Sequence, residues 1–149
     1  MISEEDYITP KVSVATVAID NNRVLLVKRS NDLWSLPGGY ADVGRDPIQN
    51  AVKEVREETG LDVAISQLIG VYDSNVSEFP TNGRHVYTLT FLGQVVGGVL
   101  TPDPVETNGA AFFNIHELPT IPSMTHLQIT QGIRIVGGDS VKPQVDHIN

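Results

Sequence analysis

Three glutamates, Glu54, Glu57 and Glu58, stand in the second half of a segment that reads as a helix. Hard oxygen ligands grouped at one rim are what a dication such as Mg2+ or Mn2+ requires. As helix residues they are poorly placed. The C-terminal end of a helix dipole is negative, so each carboxylate there is disfavoured by roughly 0.3–1 kcal/mol. Glu54 and Glu58 also form a like-charge pair at i,i+4, which costs about 0.2–0.5 kcal/mol more. At about 100° per residue the three cover an arc of roughly 100° that borders the apolar stripe of the helix. Glu54 and Glu58 then fall at the rim of the buried face, where a cleft can open, and a bound cation would offset both penalties. The plainer alternative is a solvated acidic face, with Lys53 pairing to Glu57 at i,i+4.

The preceding loop shifts the balance towards a site. Leu36-Pro37-Gly38-Gly39 enters a turn, and its glycines let the backbone approach another backbone or a ligand. The chain then reaches a firmly delimited helix over Asp46 to Gly60. Asp46 is the N-cap, Pro47 takes the first helical position, and Gln49 completes a capping box. Gly60 is the left-handed stop. Ile48, Ala51, Val52 and Val55 form the apolar stripe. Loop and carboxylates therefore face one another across a short span.

The remaining elements follow from residue type and punctuation. Lys11 to Ile19 and Arg23 to Arg29 read as strands of a hairpin joined at Asp20-Asn21-Asn22. Trp34 to Leu36 is a short strand, ended by Pro37-Gly38-Gly39. Asp62 to Tyr72, Arg84 to Val96 and Ala110 to Phe113 are further strands, and Thr125 to Val136 is a final helix. Residues 73–83 read as a long polar loop, residues 1–9 as an arm, and residues 137–149 as a flexible tail. Strands with two well-separated helices imply an α/β fold, with a mixed central sheet covered on both faces. The length, 149 residues, is that of one domain.

Composition narrows the partners. There is no cysteine, so disulfides, zinc-thiolate sites and a cysteine nucleophile are excluded. The net charge of −8 repels nucleic-acid backbones, so any phosphate site must carry its own cations. No apolar run approaches the roughly 20 residues of a membrane span, and the acidic N-terminus lacks signal-peptide order. A cytoplasmic location is the expectation, with no nucleic-acid or membrane partner.

Gly39 to Leu61, GYADVGRDPIQNAVKEVREETGL, resembles the Nudix box: Gly, five residues, Glu, seven residues, Arg-Glu, an aliphatic, any residue, Glu-Glu, any residue, Gly, an aliphatic. Gly39, Glu54, Val55, Glu57, Glu58, Gly60 and Leu61 fit in register. Lys53 stands for the usual arginine, and Arg45 reverses the charge of the first glutamate, with Asp42 three residues earlier as a source of part of the missing charge. The stretch from Trp34 to Phe113 is most similar to the branch acting on ADP-ribose and related nucleotides. Members of that branch often carry an N-terminal segment of several dozen residues, whereas nine or ten residues precede the first strand here.

The resemblance implies a Nudix-type α/β/α sandwich that hydrolyses a diphosphate linkage in a nucleoside diphosphate joined to a group X. It implies that Glu54, Glu57 and Glu58, with the carbonyl of Gly38, hold Mg2+ or Mn2+, and that Lys53 orients a glutamate of the cluster. The general base is a box glutamate, Glu54 or Glu57, or a loop acid, for which Glu106 is the candidate. Gly39 and Arg29 are candidate substrate contacts. The expected partner is a small-molecule nucleotide; a homodimer is left open. Two alternatives stay on the table: a housecleaning hydrolase of nucleoside triphosphates, and a weakly active nucleotide-binding module in which Arg45 has blunted the metal site.

Overall fold

The structure is a computed structural model that describes residues 9–148, so residues 1–8 of the expected arm lie outside the described residues. The elements run β1 (Lys11–Asp20), β2 (Arg23–Lys28), β3 (Trp34–Ser35), β4 (Gly38–Tyr40), α1 (Pro47–Thr59), β5 (Leu61–Asp73), β6 (Val86–Gly98), β7 (Gly109–Asn114), α2 (Ser123–Val136) and β8 (Gln144–Val145). The sheet is mixed, in the order β3-β2-β1-β6-β5-β8, with β4 added beside β1 and β7 beside β2. β1 runs parallel to β6 and antiparallel to β2. The hairpin turn between β1 and β2 places Asn21 and Asn22 at positive φ, a conformation that asparagine tolerates. No helix among the described residues is long and apolar enough to cross a membrane.

Alternation along β1 shows why helices lie on both faces. Ala15 and Val17 pack in one cluster with Met124 and Ile129 of α2. Val14 and Ala18 pack in clusters with Ala51 and Val55 of α1. Val55 is fully buried. Burial of one such side chain contributes about 1.5–3 kcal/mol, which exceeds the dipole penalty of any single misplaced glutamate. Packing therefore lets α1 carry an acidic C-terminal end.

β1 is shared between two neighbours on one edge. Its far end pairs with β2 at Ile19 and Asp20, and its near end pairs with β4 at Ser13, Val14 and Ala15. Between Arg29 and Pro37 the chain loops back along β2 as β3, and Pro37 then accepts from the backbone N–H of Thr16 at 3.1 Å in this split. Gly38 then runs so close to β1 that a Cβ there would lie 2.1 Å from the carbonyl oxygen of Val14.

Three expectations are corrected. Pro37-Gly38-Gly39 does not simply end a strand, because Gly38–Tyr40 itself forms β4. Ile48 does not belong to the buried stripe: it is 49% exposed, while Asn50, Ala51, Val55, Glu58 and Thr59 are buried. The first turn of α1 carries Ile48 clear of the sheet. The tail does not trail free, because Gln144 and Val145 pair in parallel with Gly70 and Val71. Asp146 then accepts from the Asp73 backbone at 3.0 Å and from the Ser77 hydroxyl at 2.8 Å, which fastens the start of the 73–83 loop.

Gly38→Ala is expected to destabilise the chain by about 1–3 kcal/mol, since the new methyl must displace backbone. Gly97→Ala serves as the control, because its nearest neighbour to a new Cβ is 3.7 Å away. Thermal melts of the two variants check this; equal melting temperatures would contradict the close approach.

Candidate active site

The capping signals of α1 all materialise. Asp46 accepts from the Gln49 backbone at 2.8 Å, Gln49 accepts from the Asp46 backbone at 3.0 Å, and Gly60 closes the helix at φ +80°. Asn50, which is buried, ties the loop to the helix. Its side chain accepts from the Asp42 backbone at 2.9 Å and donates to the carbonyls of Arg45 and Asp46. The carboxylates are thus delivered by a helix fixed at both ends and by a loop stitched to its first turn.

Burial of the three glutamates follows their angle around the helix. Glu58 is 2% exposed, while Glu54 and Glu57 are half-buried. One Glu58 oxygen accepts from the Gly38 backbone N–H at 2.7 Å. The other is paired with the guanidinium of Arg29. Arg29 also donates to the Ser35 hydroxyl at 2.9 Å, to the Leu36 carbonyl at 2.9 Å and to the Gly38 carbonyl at 3.3 Å. Burial still raises the Glu58 carboxyl above its usual range, against the pull of Arg29 and of the Gly38 N–H. Removing Arg29 would leave a buried carboxylate without its counter-charge, a change that typically costs about 3–5 kcal/mol.

Arg29, a candidate substrate contact, lines the cavity of the site and is at the same time engaged by the protein's own oxygens. The split in the sheet turns its side chain inwards, onto Glu58 and the Gly38 carbonyl. These are two of the oxygen donors that the box resemblance assigns to the metal.

Lys53 bridges Asp42 and Glu57, each at 2.9 Å. The bond to Asp42 heads the causes that hold the lysine protonated well above its usual range, and the same lysine lowers the exposed Asp42 carboxyl. Asp42 therefore supplies an acid next to Lys53 where Arg45 has reversed the box charge. Arg45 itself is exposed.

Glu54 has neither a hydrogen bond nor an ion pair among the described residues. Desolvation, then the neighbouring charge of Glu58, raises its carboxyl to about 7. A Cβ on Gly39 would lie 3.0 Å from that carboxylate, so glycine there leaves the space beside it open. Glu106 sits on the loop before β7 and is close enough to add to the upward shift of Glu58. That loop is fastened by Asn108, whose backbone N–H donates to the Lys28 carbonyl at 3.0 Å.

A cavity of about 390 Å3 opens beside these groups, lined by Arg29, Gly38, Gly39, Tyr40, Phe79 and Met124 among others. The donor set fits a hard divalent cation in its chemistry: three carboxylates and a carbonyl, one carboxylate without an ion pair among the described residues. Among the described residues no three acidic or imidazole groups converge as metal ligands. The protein's own cations hold two of the three glutamates instead. Trp34 meets Phe113 edge-on with ring centroids 4.7 Å apart, as a core-edge residue does. Three polar residues went unmarked in the sequence: Asn50, and the pair Gln128 and Thr90, joined at 2.8 Å. Gln128 and Thr90 carry no local signal, because their partnership spans 38 residues, whereas the partners of Asn50 lie within the preceding loop and first turn.

A family model for the NUDIX domain matches residues 9–130. The chain belongs to the Nudix family. Among its relatives is YjhB of Bacillus subtilis, a candidate ADP-ribose pyrophosphatase, 39% identical over 119 residues covering 79% of this chain and 57% of that protein. An ADP-ribose pyrophosphatase of Methanocaldococcus jannaschii is 34% identical over 119 residues, 77% of this chain and 68% of the relative. The crystal structure of an ADP-ribose pyrophosphatase from Streptococcus suis superposes with a TM-score of 0.80 at 28% identity, covering 93% of this chain and 100% of that one. This chain thus spans between half and about two-thirds of the length of these two sequence relatives. Nudix hydrolases generally use divalent metal ions and act on small-molecule nucleotides.

The upward shift of Glu54 from 4.5 to about 7 fixes a pH dependence for this Nudix domain. The folded chain keeps a proton that the unfolded chain has lost. The resulting stabilisation is complete below pH 4.5 and fades as pH rises to about 7. Melts of metal-free protein across that window should show a steeper fall for the parent chain than for Glu54→Gln. Identical slopes would contradict the shift.

Proposed function

We propose that the chain hydrolyses the diphosphate linkage of a nucleoside diphosphate joined to a second group, with ADP-ribose as the first substrate to test. One observation carries this reading: Gly38 and Gly39 line a cavity large enough for a nucleotide portion and lie directly against the acidic helix end, Gly38 on Glu58 and Gly39 beside Glu54, a carboxylate without an ion pair among the described residues. The names of the B. subtilis, M. jannaschii and S. suis relatives support the same choice.

Glu54, Glu57 and Glu58, with the carbonyl of Gly38, would hold Mg2+ or Mn2+. When bound, the dication supplies Lewis acidity that offsets charge developing on the diphosphate. Arg29, which lines the cavity beside Glu58 and the Gly38 carbonyl, would present its guanidinium to phosphate oxygens. Lys53 keeps Glu57 in place through its anchor on Asp42. The missing Cβ of Gly39 gives the linkage room next to Glu54. Glu106 faces the cluster from a separate loop and accepts the proton of the attacking water, a role that leaves the box glutamates free for the metal. Water adds to one phosphorus, the bridging P–O bond breaks, and two phosphomonoesters leave.

Purified chain given ADP-ribose with Mg2+ or Mn2+ should yield AMP and ribose 5-phosphate by ion-pair chromatography. Glu57→Gln should lower kcat/KM by roughly a hundredfold or more, and Glu106→Gln should lower kcat with little change in KM. Intact ADP-ribose after prolonged incubation with either metal would count against the reading. Turnover of nucleoside triphosphates in its place would favour the housecleaning alternative.

A further inference from the structure

The cavity lining includes a deeply buried polar side chain that the chemistry above does not use. α2 contributes Gln128, which is 2% exposed and still lines the cavity. Its Nε2 donates to the Thr90 hydroxyl oxygen at 2.8 Å. In this orientation the amide nitrogen faces Thr90. Among the described residues the amide oxygen takes no partner. An oxygen left open at a cavity wall is available to a donor on a ligand that enters the cavity.

The neighbours define what would complete it. Ser13 and Thr88 share a hydrogen bond at 2.8 Å and line the same cavity, so the pair adds hydroxyl groups to this wall. Met124 and Phe79 supply apolar surface. A polarisable thioether and an aromatic ring suit the face of a flat heterocycle. The amide oxygen, an acceptor only, selects for a hydrogen-bond donor on the edge of that ring.

We infer that Gln128 is a specificity-determining residue: its amide oxygen accepts from the exocyclic amino group of the substrate's base, so that an amino-bearing base is preferred to its oxo counterpart. Thr90 is the positioning residue, since it holds the amide with that oxygen free. The inference deepens the proposed hydrolysis and rests on that reading for its biological meaning, but its test is one of binding.

AMP and IMP differ at the relevant edge by an amino group against a carbonyl. Calorimetric titration of the whole chain should give AMP about tenfold tighter binding than IMP. Gln128→Met, similar in volume, should bring the two affinities together by weakening AMP. Thr90→Val, which preserves shape but frees the amide to turn, should also narrow the gap while retaining the fold by circular dichroism. Equal affinities in the parent chain, no binding of either nucleotide, a preference for IMP, or a preference that both variants leave intact would each overturn the assignment. If AMP is preferred in this way but no nucleoside diphosphate derivative is hydrolysed, the proposed activity fails and the role of Gln128 stands.

Discussion

The buried carboxylate of Glu58 links the three parts of the site. It receives the Gly38 backbone with one oxygen and Arg29 with the other, so α1, the loop through Pro37 and the end of β2 meet on a single side chain. An ion this deeply buried is sustained only by close counter-charge and hydrogen bonds. The Nudix site is therefore a problem in charge compensation before it is a problem in catalysis. Arg29 and Lys53 answer it for Glu58 and Glu57, and Glu54 answers it by holding a proton up to about pH 7.

Backbone geometry makes this possible. The division of β1 between β2 and β4 opens the seam through which Arg29 reaches the oxygens of Leu36 and Gly38. Gly38 allows the seam to close against Val14, and Gly39 keeps the space beside Glu54 free. The same seam borders the cavity, which reaches α2 and the 73–83 loop. Binding surface and acidic cluster share a wall because one short segment serves both.

Features set by local chemistry were legible from residues alone. The capping box at Asp46 and Gln49, the stop at Gly60 and the asparagine turn after β1 are each decided within a few residues, and each forms as read. Glu58, read at the rim with Glu54, is instead buried, because its angle on the helix lies next to that of Ala51. Long-range pairings were not legible. Nothing near Arg29 announces a partner 29 residues away, and Gly38–Tyr40 reads as a turn until β1 is beside it. The two-residue strand at Gln144 lacks the length or pattern to stand out before Gly70 pairs with it. Asp42, read as a source of part of the charge that Arg45 removes, pairs with Lys53.

The central claim is that oxygens now satisfied by Arg29, Lys53 and a retained proton are the ones that grip a divalent cation. Electron paramagnetic resonance of Mn2+ reads it directly, since the sharp signal of free ion fades on binding. Titrating the chain at pH 7.5, about half a unit above the Glu54 value, should remove free Mn2+ signal, and Glu54→Gln and Glu58→Gln should each restore it. Undiminished Mn2+ binding by both variants would place the cation elsewhere and contradict the account.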